Sequence, residues 1–261
     1  MEKVRTGRPQ PLDIGDTGCD EIGVLADTYN YMTEEIGLLM DSQKEAADNL
    51  RRAEFRALQA QINPHFLYNT LESINWRAKA SGEKDISRMV ESLGYLLRAT
   101  LSDPNEMVSL KRELDFVTCY LTIQQTRFEE QLQYTLEAEP DLLEFRLPKL
   151  IIQPLVENAV RHAMEEMTDV CTITIRAYRD GDNAYIEVAN NGSVFPDNLL
   201  EKLVDGSVQA EGFGIGLINI DQRLRLTYGK EYGLSLFNRD GLAIAQIKIK
   251  PGEWNHVTTD N

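Results

Sequence analysis

A histidine lies in a stretch that otherwise has the composition of a helix. In "QINPHFLYNTLESI", residues 61–74, His65 directly follows Pro64 and precedes Asn69 by four positions. A neutral imidazole carries a nucleophilic nitrogen that needs no prior deprotonation, so His65 is a candidate acceptor for a transferred group. Residues four apart share one face of a helix, so Asn69 is placed to orient the ring or the incoming group. A lone helical histidine is more often structural, so this interpretation depends on what the rest of the chain supplies.

A second set of polar residues lies on a predicted helix in the C-terminal half. In "LIIQPLVENAVRHAM", Asn158 and His162 lie one helical turn apart, and Arg161 is next to His162. An amide oxygen suits Mg²⁺, which prefers oxygen ligands, while arginine and histidine can donate to phosphate oxygens. Polar residues on a helix face are more often simply solvated, so this pattern alone leaves both interpretations open.

Two segments with asparagine and glycine follow. The first, "IEVANNGS", predicts a strand that runs into a turn at Asn190, Asn191 and Gly192. The second, "EGFGIGLINIDQRL", places three glycines just before a helix: Gly212, Gly214 and Gly216. Glycines there let backbone amides approach a phosphate at the helix N-terminus, where the helix dipole also favours an anion. The spacing is not the dinucleotide fingerprint, because no strand immediately precedes it in a βαβ unit.

The N-terminal part of the chain has the periodicity of a coiled coil. Apolar or small residues recur in alternating steps of three and four from Ile22 to Ala60, with Gln43 as the one clearly polar position. This heptad seam predicts a parallel coiled coil between two copies of the chain, and hence a homodimer. The alternative is a single amphipathic helix packed on its own domain, but such a stripe is usually broader and shorter.

The pattern changes from helical to mixed near Glu130–Tyr134. Three further helices are predicted before that boundary: Pro64–Ala80, Lys84–Leu101 and Ser109–Glu129. Beyond it, short runs with β-branched alternation are interleaved with two helices, near Pro148–Met164 and Gly214–Tyr228. The sequence therefore predicts an all-helical front and an α+β back.

Composition limits the classes of function. The net charge of −15 argues against a general nucleic-acid or anionic-membrane binder, so any anionic ligand must be held locally. The three cysteines are far apart and form no CxxC, which indicates neither a disulfide framework nor a zinc site and favours a reducing compartment. No apolar run approaches the roughly 20 residues that a bilayer span needs.

Taken in order, these motifs match a known family. An Asn-bearing helix, a strand ending in Asn-Gly and a GxGxGL turn entering a helix resemble the N, G1 and G2 boxes of the GHKL ATPase fold. With "NPHFLYNTL" they resemble a sensor histidine kinase of the LytS/YesM type, and the likeness covers roughly Ala57–Lys250. The segment between the His65 motif and the Asn158 motif, residues 109–128, also matches this family. The matching residues are Leu110, Glu113, Leu114, Tyr120, Leu121, Ile123, Gln124, Arg127 and Phe128.

The resemblance implies both a fold and an activity. The fold is a long coiled coil and dimerisation helices, followed by a GHKL (Bergerat) α/β sandwich that binds ATP. The activity is Mg-ATP-dependent autophosphorylation of His65, oriented by Asn69, followed by phosphotransfer to an aspartate of a response regulator. Two alternatives stay open: a catalytically weak or inactive signalling scaffold, and an ATP-hydrolysing clamp, which would have no use for His65.

The resemblance also assigns a nucleotide site. Its members are Asn158, Arg161, His162, Asn190, Gly192, Gly212, Gly214, Gly216 and Leu217. Asn158 would ligate Mg²⁺, Arg161 and His162 would face the phosphates, and a lid would span roughly Ser193–Glu211. Glu157 also matches, but helix geometry turns it about 100° from Asn158, so we do not assign it as the base.

Asn190 departs from the family pattern, which has an aspartate there to accept a hydrogen bond from the adenine amino group. A bond to a charged group is worth about 1.5–3 kcal/mol and one to a neutral group about 0.5–1.5 kcal/mol. The expected loss is about 1 kcal/mol, or several-fold in affinity.

The segment "GCDEIGVLADTYNYM" resembles the second half of a HAMP signal-transfer module. This implies that the chain is the cytoplasmic portion of a bacterial inner-membrane protein and reaches the membrane only through an upstream segment. The predicted domains are a partial HAMP module (1–40), a signalling coiled coil (41–63), dimerisation and histidine-bearing helices (64–130), an ATP-binding domain (131–252) and a tail (253–261).

Overall fold

The computed structural model describes residues 21–61, 63–103, 106–166, 170–192, 194–204 and 213–250. It divides the chain into two compact units, Met1–Asn63 and Pro64–Asn261. Several predictions lie wholly or partly outside the described residues: the first half of the HAMP module (1–20), residues 193 and 205–211 of the lid, Gly212 and the C-terminal tail.

The first unit is built around one helix, α1, which spans Glu21–Gln61 and 41 residues. Described positions of its heptad seam are exposed in the single chain, where Leu25 is 74% and Leu39 is 65% accessible. Apolar side chains at this spacing are stabilised when a second helix covers them. None of the described helices combines the length and the apolar composition that a membrane span requires.

The second unit begins with two helices joined by a short turn. Helix α2 spans Pro64–Ala80 and helix α3 spans Lys84–Leu101, as the sequence predicts. Pro64 occupies the first helical position, where its missing N–H would be unpaired anyway, so it starts a helix rather than bending one. Lys79 donates to Glu91 at 2.7 Å and helps to hold the two helices together.

Helix α4, Leu110–Phe128, packs against two partners. Ser109 caps its N-terminus by accepting the Arg112 N–H. One apolar face of α4, which includes Leu114 and Leu121, lies in the main core with the sheet. The opposite side carries Phe116, which packs with α3 in a smaller core. Helix α4 therefore contacts both α3 and the α/β layer.

Two sheets complete the unit. A small one pairs β1 (Met107–Ser109) antiparallel with β3 (Arg146–Pro148). The larger one has the order β2-β4-β5-β7-β6, with β2 parallel to β4 and the other pairs antiparallel. Its strands are β2 (Leu132–Ala138), β4 (Cys171–Asp180), β5 (Asn183–Asn191), β6 (Gly233–Arg239) and β7 (Leu242–Ile249).

Three more helices accompany the larger sheet: α5 (Gln153–Glu166), α6 (Leu199–Val204) and α7 (Phe213–Tyr228). Alternate residues of β4, such as Ile173 and Ile175, are fully buried and share one core with α5 and α7. The predicted fold class, helices followed by an α/β sandwich with a mixed sheet, is confirmed.

The prediction that α5 begins near Pro148 was wrong, because the helix begins at Gln153. Residues 149–152 form a turn in which Leu150 has a φ of 59°. The Glu113 side chain of α4 holds this turn in place. Glu113 lies nearly 40 residues earlier in the chain, and a local sequence pattern cannot reveal such a contact.

Candidate functional site

His65 lies in the first turn of α2 and is exposed. The side-chain nitrogen of Asn69 is 3.3 Å from Nδ1 of the imidazole, so the two predicted partners do meet on one helix face. Which of them donates depends on the tautomer of the ring and on the orientation of the amide. The exposed ring is accessible from solvent.

Helix α5 places the second predicted set. Its apolar face, with Leu155, Val156 and Ala163, is buried in the main core. This packing leaves Asn158 half-buried and Arg161 exposed on the opposite side. Asn158 and Arg161 therefore lie on the side of α5 that faces away from the main core.

The turn before α5 is held by the buried carboxylate of Glu113. It accepts the N–H groups of Leu150 at 2.6 Å and of Ile151 and Ile152 at 2.9 Å each. Burial raises the pKa of Glu113, and the three N–H donors oppose that rise. Because Glu113 belongs to α4, this contact fixes the start of α5 relative to α4.

A buried lysine reinforces the same turn. Lys149 donates to the Ser102 hydroxyl at 2.6 Å, and its ammonium lies 3.7 Å from the Glu106 carboxylate. Burial lowers the pKa of Lys149, while the charge of Glu106 raises it. The turn is thus tied both to α4 and to the segment that follows α3.

A cavity of about 880 Å³ opens between α4, α5 and α7. Asn158 and Arg161 line it from α5, and Gly216 lines it from α7. A Cβ atom built on Gly216 would meet no atom within 4 Å, so this glycine is not required by close packing. The cavity therefore brings three of the predicted nucleotide-site residues together around open space.

The opposite side of the cavity comes from α4, through Tyr120, Gln124, Arg127 and Phe128, which we call the α4 wall. These residues match the LytS/YesM type in sequence, but no role was predicted for them. Their spacing of four and three puts them on one face of a predicted helix, and that signal could have marked them as a unit.

The other predicted site residues that the structure describes do not line this cavity. Asn190 is only 3% exposed at the end of β5, where its side-chain nitrogen donates to the Asn191 carbonyl at 3.2 Å. Gly192 follows with a φ of 120°, a conformation that favours glycine. Gly214 is buried, and Leu217, at 5% exposure, belongs to the hydrophobic core.

His162 also lies outside the cavity lining and is half-buried. Asn191 has a structural position: its side-chain oxygen accepts the Thr172 N–H at 2.6 Å and its nitrogen donates to the Val170 carbonyl at 3.0 Å. These two bonds fasten the end of β5 to the start of β4.

An exposed histidine on paired helices, followed by an α/β sandwich with an open cavity, is the arrangement expected of the histidine kinase class. Residues 53–132 match the family model "Histidine kinase", and residues 144–251 match "Histidine kinase-, DNA gyrase B-, and HSP90-like ATPase". The chain belongs to the histidine kinase family and is of the YesM and LytS type.

Three curated relatives illustrate this membership. Sensor histidine kinase YesM of Bacillus subtilis (strain 168) is 44% identical over 225 residues, which is 86% of this chain and 38% of that protein. Sensor protein LytS of the same organism is 30% identical over 220 residues, covering 81% and 37%. Sensor histidine kinase BtsS of Escherichia coli (strain K12) is 33% identical over 187 residues, covering 72% and 31%.

The chain spans less than two fifths of the length of each of these relatives. Among solved structures, the catalytic domain of histidine kinase ThkA aligns with a TM-score of 0.44 at 18% identity. That alignment covers 56% of this chain and 97% of the other.

Proposed function

We propose that this chain is the kinase portion of a two-component sensor. It binds Mg-ATP in the cavity between α4 and α5, transfers the γ-phosphoryl group to His65 and passes it to an aspartate of a response regulator. The observation that carries the proposal is the cavity in which Asn158, Arg161 and Gly216 converge. Membership in the histidine kinase family supports the assignment of the acceptor.

The residues present fit a magnesium-bound triphosphate. The amide oxygen of Asn158 is a hard ligand, and Mg²⁺ is commonly held by one or two protein groups together with phosphate oxygens and water. Within the described ranges, no group of three or more His, Cys, Asp or Glu residues forms a metal site of its own. The metal would therefore arrive with the nucleotide, where it neutralises charge on the phosphates.

The contact between His65 and Asn69 suggests how the nucleophile is prepared. If the Asn69 amide turns its oxygen toward the ring, that oxygen accepts the Nδ1–H and leaves the Nε2 lone pair free. Nε2 then forms the new bond to phosphorus as the bond to ADP breaks. An amide cannot take up the Nδ1 proton, so Asn69 orients the ring and the proton leaves to water.

The homodimer belongs to the same proposal. The exposed heptad seam of α1 gives two copies a surface on which to associate. Light scattering on the purified chain is expected to give twice the monomer mass, and a monomer at micromolar concentration would contradict this part.

Replacement of Asn158 by alanine is expected to reduce autophosphorylation by about 100-fold, because the protein ligand of the metal is lost. Incorporation of γ-labelled phosphate measures the rate, and the matched variant Asn158→Asp, which keeps an oxygen ligand, should retain more activity. Full activity in Asn158→Ala would contradict the assignment. If the unmodified chain fails to bind ATP with Mg²⁺ at millimolar concentration, the scaffold alternative is favoured instead.

Asn190 is 3% exposed and does not line the cavity, so its predicted contact with adenine needs a separate test. If adenine reaches Asn190, replacement by aspartate is expected to tighten ATP binding several-fold, because a carboxylate accepts a stronger hydrogen bond from the adenine amino group. Calorimetric titration with ATP and GTP measures both affinity and adenine selectivity. Asn191→Asp is the control, since the Asn191 amide already bonds within the sheet and should give no gain. Equal ATP affinity in Asn190→Asp and the unmodified chain would show that Asn190 does not contact adenine.

A further inference from the structure

The α4 wall places a second set of ligand-binding groups opposite Asn158. Gln124 and Arg127 project from the same helix face as Tyr120, while Leu114 and Leu121 on the other side of α4 are buried in the main core. The orientation of this wall is therefore fixed by packing. Its amide and guanidinium groups are donors, which suits a ligand rich in acceptor oxygens.

Arg127 is held in place in the lining of this cavity. Its guanidinium carbon lies 4.8 Å from the centroid of the Phe128 ring, so the planar group stacks on an aromatic neighbour that also lines the cavity. Because stacking already restricts this long side chain, less conformational entropy is lost when it binds a ligand. The guanidinium is exposed and keeps its donors accessible to a ligand.

The local charge of the cavity differs from that of the whole protein. Burial raises the pKa of Tyr120 and the Glu157 carboxylate adds to that rise, whereas the charges of Arg127 and Arg161 oppose it. Both guanidiniums therefore act on the same hydroxyl from two different helices. Two cations face one carboxylate in a chain whose net charge is −15, so the cavity is a local site for an anion.

We propose that Arg127, assisted by Gln124, binds the terminal phosphate of the nucleoside triphosphate. This inference rests on the proposed function, because it assumes that the cavity takes a nucleotide. The guanidinium presents paired donors to two phosphate oxygens, and Arg161 approaches from the side of α5. A nucleoside monophosphate lacks the group that Arg127 recognises, so α4 distinguishes a triphosphate from shorter nucleotides.

The position of α4 gives this contact a second consequence. Phe116, on the same helix, packs with Leu96 and Ala99 of α3, and its ring lies 5.5 Å from that of Tyr95. The helix that binds the terminal phosphate is thus the one that packs on α3, which in turn packs on α2, the helix that carries His65.

The test is a calorimetric titration of the full chain with ATP, ADP and AMP in the presence of Mg²⁺. Arg127→Ala is expected to lower ATP affinity about tenfold and to leave AMP affinity within about twofold, so that the preference for ATP over AMP falls. Arg127→Lys keeps the charge but not the paired donors, and it should recover part of the loss. Thermal unfolding confirms that each variant is folded.

Arg176→Ala is the matched control, because Arg176 is also exposed and also lies over an aromatic ring, that of Tyr178, but does not line the cavity. Its affinities should equal those of the unmodified chain. Unchanged ATP affinity in Arg127→Ala, or an equal loss for ATP and AMP, would overturn this inference alone. Absence of ATP binding by the unmodified chain would overturn the proposed function and this inference with it.

Discussion

Glu113→Ala is expected to destabilise the second unit by about 3–5 kcal/mol, a large share of the stability of a typical domain. The fully buried carboxylate accepts the N–H groups of Leu150, Ile151 and Ile152, and alanine would leave all three without a partner. For a unit of this size the loss corresponds to a fall of roughly 10 °C in Tm. Urea and thermal unfolding monitored by circular dichroism measure it.

Two further variants sharpen this prediction. Glu113→Gln keeps one oxygen as an acceptor and should lose about half as much stability. Glu137→Ala is the control, because the Glu137 carboxylate is 70% exposed and its 3.6 Å ion pair with Arg176 is screened by solvent, so the change should stay below about 1 kcal/mol. A Glu113→Ala protein as stable as the control would contradict the conclusion that Glu113 holds the turn before α5.

His65→Ala is expected to eliminate autophosphorylation while leaving ATP affinity unchanged. The imidazole is the proposed nucleophile and lies on α2, whereas the nucleotide cavity is lined by α4, α5 and α7. Separate measurement of label incorporation and of ATP binding distinguishes loss of the acceptor from loss of the substrate.

The control is His256→Ala, which removes another histidine and should retain normal labelling. Asn69→Leu is expected to slow labelling by about tenfold, because the ring loses its orienting partner but keeps its nucleophilic nitrogen. Persistent labelling of His65→Ala at the unmodified rate would show that another residue is the acceptor.

Local signals in the sequence were sufficient for the helices before residue 130. Pro64 and the turn at Ser81–Glu83 mark boundaries that depend on nearby residues alone, and α2 and α3 have the predicted limits. The start of α5 was misplaced, because Glu113 holds the preceding turn from another helix. Strands β1 and β3, with three residues each, are too short for an alternating pattern to reveal.

The candidate site was predictable only in part, because local motifs identify residues but not the packing that brings them together. Asn158, Arg161 and Gly216 were recognised as motif residues, and the structure brings them to one cavity. The α4 wall could not be assigned, since its role depends on how α4 packs against α5. Leu217 was matched by its place in a motif, but its side chain belongs to the core, a distinction that only burial reveals.

The central claim, that His65 is the phosphoryl acceptor, is tested most directly by locating the label in the protein. After incubation with γ-labelled ATP and Mg²⁺, trypsin should release residues 57–77 as one peptide, in which His65 is the only histidine. We predict label on this peptide, stable to alkali and lost in acid, as a phosphorylated imidazole requires. Label on any other peptide, or label that is stable to acid, would contradict the account.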